Sequence, residues 1–188
     1  MTASRLNQLS ALGQSVWIDF LSRDMLRSGE LARLHEEDAV VGVTSNPTIF
    51  QKAIAAGDAY DEQLRRELED ERDPKELFLR LAIEDVRAAC EVLRPVWDGG
   101  GGRDGYVSLE VDPTLAYETE ATIAEAVRLH DLVDRPNLFV KIPATEPGLP
   151  AIEEMIARGK SINVTLIFSL ERYAAVAEDY VRGLERRI

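Results

Sequence analysis

Cysteine is almost missing from this 188-residue chain, and histidine is scarce. The single cysteine, Cys90, excludes an intrachain disulfide framework, and its neighbours Ala88, Ala89, Val92 and Leu93 mark it as a small buried hydrophobe. The two histidines, His35 and His130, fall far apart in unrelated helical patterns, so no metal cluster can be assembled around the thiol. Basic residues are also in deficit. With 22 Lys and Arg against 34 Asp and Glu, the net charge of -12 repels a nucleic-acid backbone. No run approaches the roughly 20 apolar residues of a membrane span, and the N-terminus lacks a basic-then-apolar signal pattern. These absences predict a cytoplasmic protein with neither a nucleic-acid nor a membrane partner. Length, 45% hydrophobic residues and 30% charged residues suit one sizeable core.

What is present is an alternation of period. Five β-like runs read as buried strands: residues 16–20, 40–44, 106–111, 138–142 and 162–168. Helical patterns lie between and after them. Residues 47–56 start after Asn46-Pro47, where proline suits a first turn, and residues 58–69 read as a second helix. The longest pattern covers 74–96, with Phe78, Ala82, Val86, Ala89 and Leu93 on one face. Residues 115–133 follow Asp112-Pro113-Thr114, read as a cap, with Glu118 close behind. The pattern 149–157 stops at Gly159, and 170–188 carries an apolar stripe at Leu170, Tyr173, Ala177, Val181 and Leu184. Residues 4–12 form a short extra helix ahead of the first strand. The glycine run 99–102 is a loop and not a phosphate cradle, because neither a lysine nor a helix start follows it.

Strand–helix alternation means a parallel sheet covered by helices, either doubly wound or closed into a barrel. The placement of polar residues decides between them. Asp19, Asn46, Glu110, Lys141 and Thr165 each fall toward the C-terminal end of a different strand, where the site of a (β/α) barrel lies. Lys141 is the most telling of these. It interrupts the apolar run Leu138-Phe139-Val140-Lys141-Ile142-Pro143, and burying an ammonium favours the neutral amine, a nucleophile able to condense with a carbonyl as a Schiff base. The expected fold class is therefore α/β, a (β/α)8 TIM-barrel type. About five βα units are present where such a barrel has eight.

Five segments carry a family resemblance: WIDF (17–20), TSNPTIF (44–50), SLEVDPTLAYETEAT (108–122), NLFVKIPAT (137–145) and INVTLIFS (162–169). In this order and spacing, over nearly the whole chain, they resemble transaldolase in its longer bacterial form. The resemblance implies a (β/α)8 barrel, of which residues 1–188 form the N-terminal part of one barrel domain as an incomplete barrel, and transfer of a dihydroxyacetone unit from sedoheptulose 7-phosphate to glyceraldehyde 3-phosphate, within the pentose phosphate pathway. Lys141 then matches the Schiff-base lysine, and Asp19 matches the group that moves the proton of the substrate's C4 hydroxyl. Glu110 matches the carboxylate that works through a water during carbinolamine formation and dehydration, and Thr165 the hydroxyl that orients that water. Asn46 and Asn163 match amides that hold the dihydroxyacetone hydroxyls. The protonated imine is itself the electron sink, so the resemblance implies no metal or organic cofactor.

Each residue also has a plain structural reading that stands beside the catalytic one. Asp19 reads as a strand-end carboxylate, Asn46 as a turn and cap residue, and Glu110 as a helix-start acid. Thr165 reads as an ordinary strand residue, and Asn163 as an amide serving backbone groups at a rim. His130 reads as a partly buried packing histidine. Family sequences continue into three further strands that carry the arginine and serine grip on the substrate phosphate. The expected partners are therefore sugar phosphates, together with the missing C-terminal half of the barrel or a self-association partner for the open sheet edges. Two further functions stay open: an inactive barrel fragment acting as an interaction module, and a related Schiff-base aldolase that releases dihydroxyacetone.

Overall fold

The computed structural model describes residues 4–188, which form two compact units, the first running to Val107 and the second starting at Ser108. The first contains α1 (Arg5–Ala11), β1 (Val16–Ile18), α2 (Arg23–Arg27), α3 (Glu30–Asp38), β2 (Val40–Thr44), α4 (Pro47–Ala55), α5 (Asp61–Glu67), α6 (Pro74–Gly99) and the start of β3 (Tyr106–Glu110). Local chemistry sets several of these starts. The Ser4, Ser22, Asn46 and Asp73 side chains accept backbone N–H groups of the turns they open, and Pro47 and Pro74 occupy first turns, where their missing N–H costs nothing. The 26-residue α6 turns Ala82, Val86, Ala89 and Leu93 fully inward, with Cys90 among them, against β2 and α3. Phe78, expected on this stripe, is only half-buried and meets Phe50 edge to face at 6.3 Å.

Strands β1 and β2 are parallel, with Trp17 opposite Gly42. A Cβ on Gly42 would collide with the Trp17 indole, so the absence of a side chain at 42 is what lets the ring lie across the neighbouring strand. The strand predicted for 16–20 ends at Ile18, which puts Asp19 one residue past it and leaves Phe20 about half exposed. The chain turns there because fully buried Leu21 must enter the core and Ser22 must cap α2. The short helices α2 and α3, split at Ser28-Gly29, had no boundaries in the sequence reading. Residues 58–60 likewise lie outside α5, which starts at Asp61.

Behind α2 lies a buried polar cluster. Arg23 Nε donates to Asp85 Oδ1 at 2.8 Å, and Arg23 Nη2 donates to Gln63 Oε1 at 2.6 Å and to the Leu81 carbonyl at 3.3 Å. The guanidinium lies 4.4 Å above the Tyr60 ring. The Tyr60 hydroxyl donates to Asp85 Oδ2 at 2.7 Å and accepts the Arg23 backbone N–H at 3.0 Å. Burial pushes the Asp85 carboxyl up, against the pull of the Tyr60 hydroxyl and Arg23, and burial together with Asp85 pushes the Tyr60 hydroxyl up. Removing one partner of such a pair typically costs about 3–5 kcal/mol, because the other charge is left buried alone.

The second unit holds the rest of β3, a 3-10 turn (Pro113–Leu115), α7 (Thr119–Val133), β4 (Leu138–Pro143), α8 (Gly148–Ala157), β5 (Ile162–Thr165) and α9 (Leu170–Arg187). Strand β4 lies between β3 and β5 and runs parallel to β5, with Lys141 opposite Asn163 and Pro143 opposite Thr165. Leu138, Val140 and Ile142 are buried on one face of β4, so by strand alternation Phe139, Lys141 and Pro143 share the other. Asp112 caps the 3-10 turn through the Thr114 N–H, and α7 starts only at Thr119, later than the predicted 115. Strand β5 stops at Thr165, short of the predicted Phe168. Leu166 takes a left-handed backbone (φ 62°), which breaks the ladder and leaves Phe168 87% exposed.

Helix α9 packs on α8 through Gly183, where a Cβ would lie 2.6 Å from the Glu153 carbonyl oxygen and 2.7 Å from Ile156. Arg182 and Arg186 reach across to Glu153, and hydrogen bonding to Arg186 holds that carboxyl below its usual range. The apolar stripe of α9 points away from this contact, and Leu170, Tyr173, Ala177, Val181 and Leu184 are all exposed.

His130 is partly buried, as expected, and its Nε2–H donates to the Ser161 carbonyl at 3.0 Å, tying α7 to the residue before β5. Burial, helped by Lys160, lowers its pKa to about 4. Unfolding returns the ring to an ordinary value near 6.5, so between those limits the unfolded chain binds the extra proton and stability falls as pH falls.

Two measurements follow. Urea unfolding of Gly42→Ala should show a loss of about 1–3 kcal/mol from overpacking against Trp17, with much of it restored in Gly42→Ala/Trp17→Val. An unchanged midpoint would mean that the indole moves aside freely. Between about pH 6.5 and 4, wild-type stability should drop by up to about 3 kcal/mol more than that of His130→Gln, whose side chain cannot take up the proton. Parallel pH profiles would exclude His130 as the titrating group.

Candidate active site

The second unit places a primary amine where the sequence reading put it. Lys141 is 8% exposed, and its Nζ lies 3.5 Å from Glu110 Oε2. The charge is therefore not buried alone. Neighbouring strands hold the two groups together, and the Val111 N–H donates to the Lys141 carbonyl at 3.2 Å, which fixes the β3–β4 register beside the pair. Glu110 ends β3 rather than starting a helix, since Asp112 fills the capping role.

Asn163 lies opposite Lys141 on β5, and its Nδ2 donates to Ser108 Oγ on β3 at 3.1 Å. The partner is a side chain, not the backbone group that the plain reading assigned. Strands two places apart in a flat sheet are separated by roughly 9.5 Å, too far for these short side chains, so the sheet of this unit curls toward the Lys141 face. Ser108 is fully buried and was absent from the residues singled out in the sequence. Period 2 from Glu110 was the available signal, because Ser108 shares its face. The Thr165 Oγ1 is buried without a hydrogen-bond partner, which leaves a hydroxyl able to hold a water or a substrate atom.

Asp19 and Asn46 belong to the first unit. The exposed Asp19 side chain makes no hydrogen bond or ion pair with another described residue. Asn46 Oδ1 accepts the Ile49 N–H at 3.0 Å, so its carbonyl serves as the cap of α4 and only its NH2 group is left to offer a ligand. Among the described residues, no three His, Cys, Asp or Glu side chains converge on a metal position, and no helix is long and apolar enough to cross a membrane.

A buried amine beside a carboxylate, flanked by an amide and a free hydroxyl, is equipped for carbonyl condensation. In such a set an amine can attack a carbonyl while a neighbouring carboxyl group moves protons as water is lost.

The family model described as Transaldolase/Fructose-6-phosphate aldolase matches residues 16–183. The transaldolase of Frankia alni is 58% identical over 183 residues, covering 97% of this chain and 49% of that relative. Transaldolase 1 of Streptomyces avermitilis is 56% identical over 185 residues, covering 98% and 49%. The transaldolase of Mycobacterium tuberculosis H37Rv is 53% identical over 188 residues, covering 99% and 50%. The chain thus spans about half the length of the curated relatives it matches. The family fold is a (β/α) barrel of TIM type, and the five strands here, interleaved with helices, are units of that fold. With a match over all five strands and the lysine–glutamate pair between two of them, the chain belongs to the transaldolase/fructose-6-phosphate aldolase family.

Proposed function

We propose that residues 1–188 are the N-terminal part of a single barrel domain that works as a transaldolase in the pentose phosphate pathway. The observation that carries this reading is the buried Lys141 amine 3.5 Å from Glu110. Glu110, through a water, takes a proton from the Lys141 ammonium it is paired with, and the neutral amine attacks the C2 carbonyl of sedoheptulose 7-phosphate to give a carbinolamine. Glu110, through a water that the Thr165 hydroxyl orients, protonates the departing hydroxyl so that the carbinolamine loses water and becomes an imine. Asp19 takes the C4 hydroxyl proton, the C3–C4 bond breaks toward the imine, and erythrose 4-phosphate leaves. The remaining enamine adds to the aldehyde of glyceraldehyde 3-phosphate, Asp19 returns the proton to the new hydroxyl, and hydrolysis releases fructose 6-phosphate. The Asn46 NH2 group and Asn163 hold the dihydroxyacetone hydroxyls.

The phosphate grip belongs to the complementary half of the barrel, which on this reading is the partner of the exposed α9 stripe and of the β5 edge. A cytoplasmic location goes with these substrates. Loss of the enamine to water instead of an aldehyde would make the same site an aldolase, and release of free dihydroxyacetone distinguishes the two.

Borohydride reduction with fructose 6-phosphate, on the chain joined to the downstream half of the Frankia alni relative, should leave a dihydroxyacetone-derived adduct on Lys141 and none in Lys141→Arg. A guanidinium keeps the charge but forms no imine. An adduct on Lys52 or Lys160 would overturn the assignment. For Glu110→Gln, imine formation should slow by about 10²-fold or more while binding weakens far less. Equal losses in both would mark a purely structural carboxylate.

A further inference from the structure

Among the described residues, the side chain proposed to move the C4 proton has no partner that holds it in place. Asp19 sits in a two-residue exposed span, Asp19-Phe20, between the end of β1 and the fully buried Leu21. Its position is therefore set by the backbone on either side. On the N-terminal side, Ile18 pairs with Val43. On the C-terminal side the grip comes from Arg23, whose backbone N–H is held by the Tyr60 hydroxyl while its guanidinium is held by Asp85, Gln63 and the Leu81 carbonyl.

From this arrangement we propose that Arg23 is a positioning residue for Asp19. With Asp85 and Tyr60 it forms a buried pin that fixes the β1–α2 turn, and so the reach of the carboxylate; the proposal rests on the catalytic role assigned above to Asp19. Two features favour positioning over plain stabilisation. A buried ion pair is a poor source of stability, since apolar residues of similar volume often serve as well or better. And Tyr60 grips the main chain of Arg23 as well as the Asp85 carboxylate, which fixes the path of the backbone and not only the packing of a side chain. Placement matters because a displacement of about 1 Å can cost a reaction 10²-fold.

The test separates the two halves of the reaction in the completed chain. Arg23→Lys and Tyr60→Phe should keep total borohydride trapping on Lys141, the six-carbon phosphorylated adduct formed before cleavage plus the three-carbon adduct formed after it, within about twofold while cleavage of fructose 6-phosphate to glyceraldehyde 3-phosphate falls by about tenfold or more. Asp19→Asn should show the same split. Arg23→Lys/Asp19→Asn should cleave no more slowly than Asp19→Asn alone, because the pin acts only through the carboxylate. Amide exchange of the 188-residue chain should quicken over residues 19–23 in Tyr60→Phe and stay unchanged along α6. Equal losses of trapping and cleavage, additive losses in the double variant, or unchanged exchange over residues 19–23 would each overturn the positioning role. Failure of the unaltered completed chain to trap on Lys141 would overturn the catalytic reading itself, and the pin's function with it.

Discussion

An ammonium cannot stay inside a protein without a partner, and that constraint organises the second unit. Lys141 is tolerable because Glu110 stands beside it on the adjacent strand. The pairing needs β3 and β4 in a fixed register, and it needs β4 to present alternate residues to opposite surroundings, Val140 and Ile142 to apolar neighbours and Lys141 to polar ones. Helices α7 and α8 cover the apolar face, and the Ser108–Asn163 bond draws the flanking strands around the other. The same pairing that makes burial tolerable also sets a carboxylate next to an amine, the two groups that the proposed condensation needs.

The fold was legible wherever a run was long and apolar. Residues 40–44 form a strand with the predicted bounds, and four of the five residues read onto the inner stripe of α6 are fully buried. Strand ends were less legible because backbone conformation decides them. Nothing in the side chain of Leu166 announces a positive φ, and nothing in Asp19-Phe20 announces that the chain must turn to bury Leu21. The α9 stripe was read correctly as apolar and is uncovered, so periodicity revealed the face and not its neighbour.

The candidate site divides in the same way. Lys141 stood out because charge and setting conflict within six residues, and Glu110 because it ends a strand. Asn46 carries the cap role and keeps only its NH2 group for a ligand, a division of one side chain that sequence spacing cannot express. Ser108 looked like any strand serine until its partner, 55 residues on, was known. Arg23 gave no signal for a similar reason. Nothing in Ser-Arg-Asp marks it, because the acid that holds it lies 62 residues away.

Strand β4 lies between two others and is buried along one whole face, whereas β1 is three residues long and ends the strand order. A three-residue end strand belongs to the low-stability end of a fold, so warming loosens the residues beside Asp19 early, while β4 is held on both sides. On the proposed roles, heat would weaken carbon–carbon bond breaking before it touched capture of the ketone. A warmed protein would then still seize its sugar while losing the means to split it.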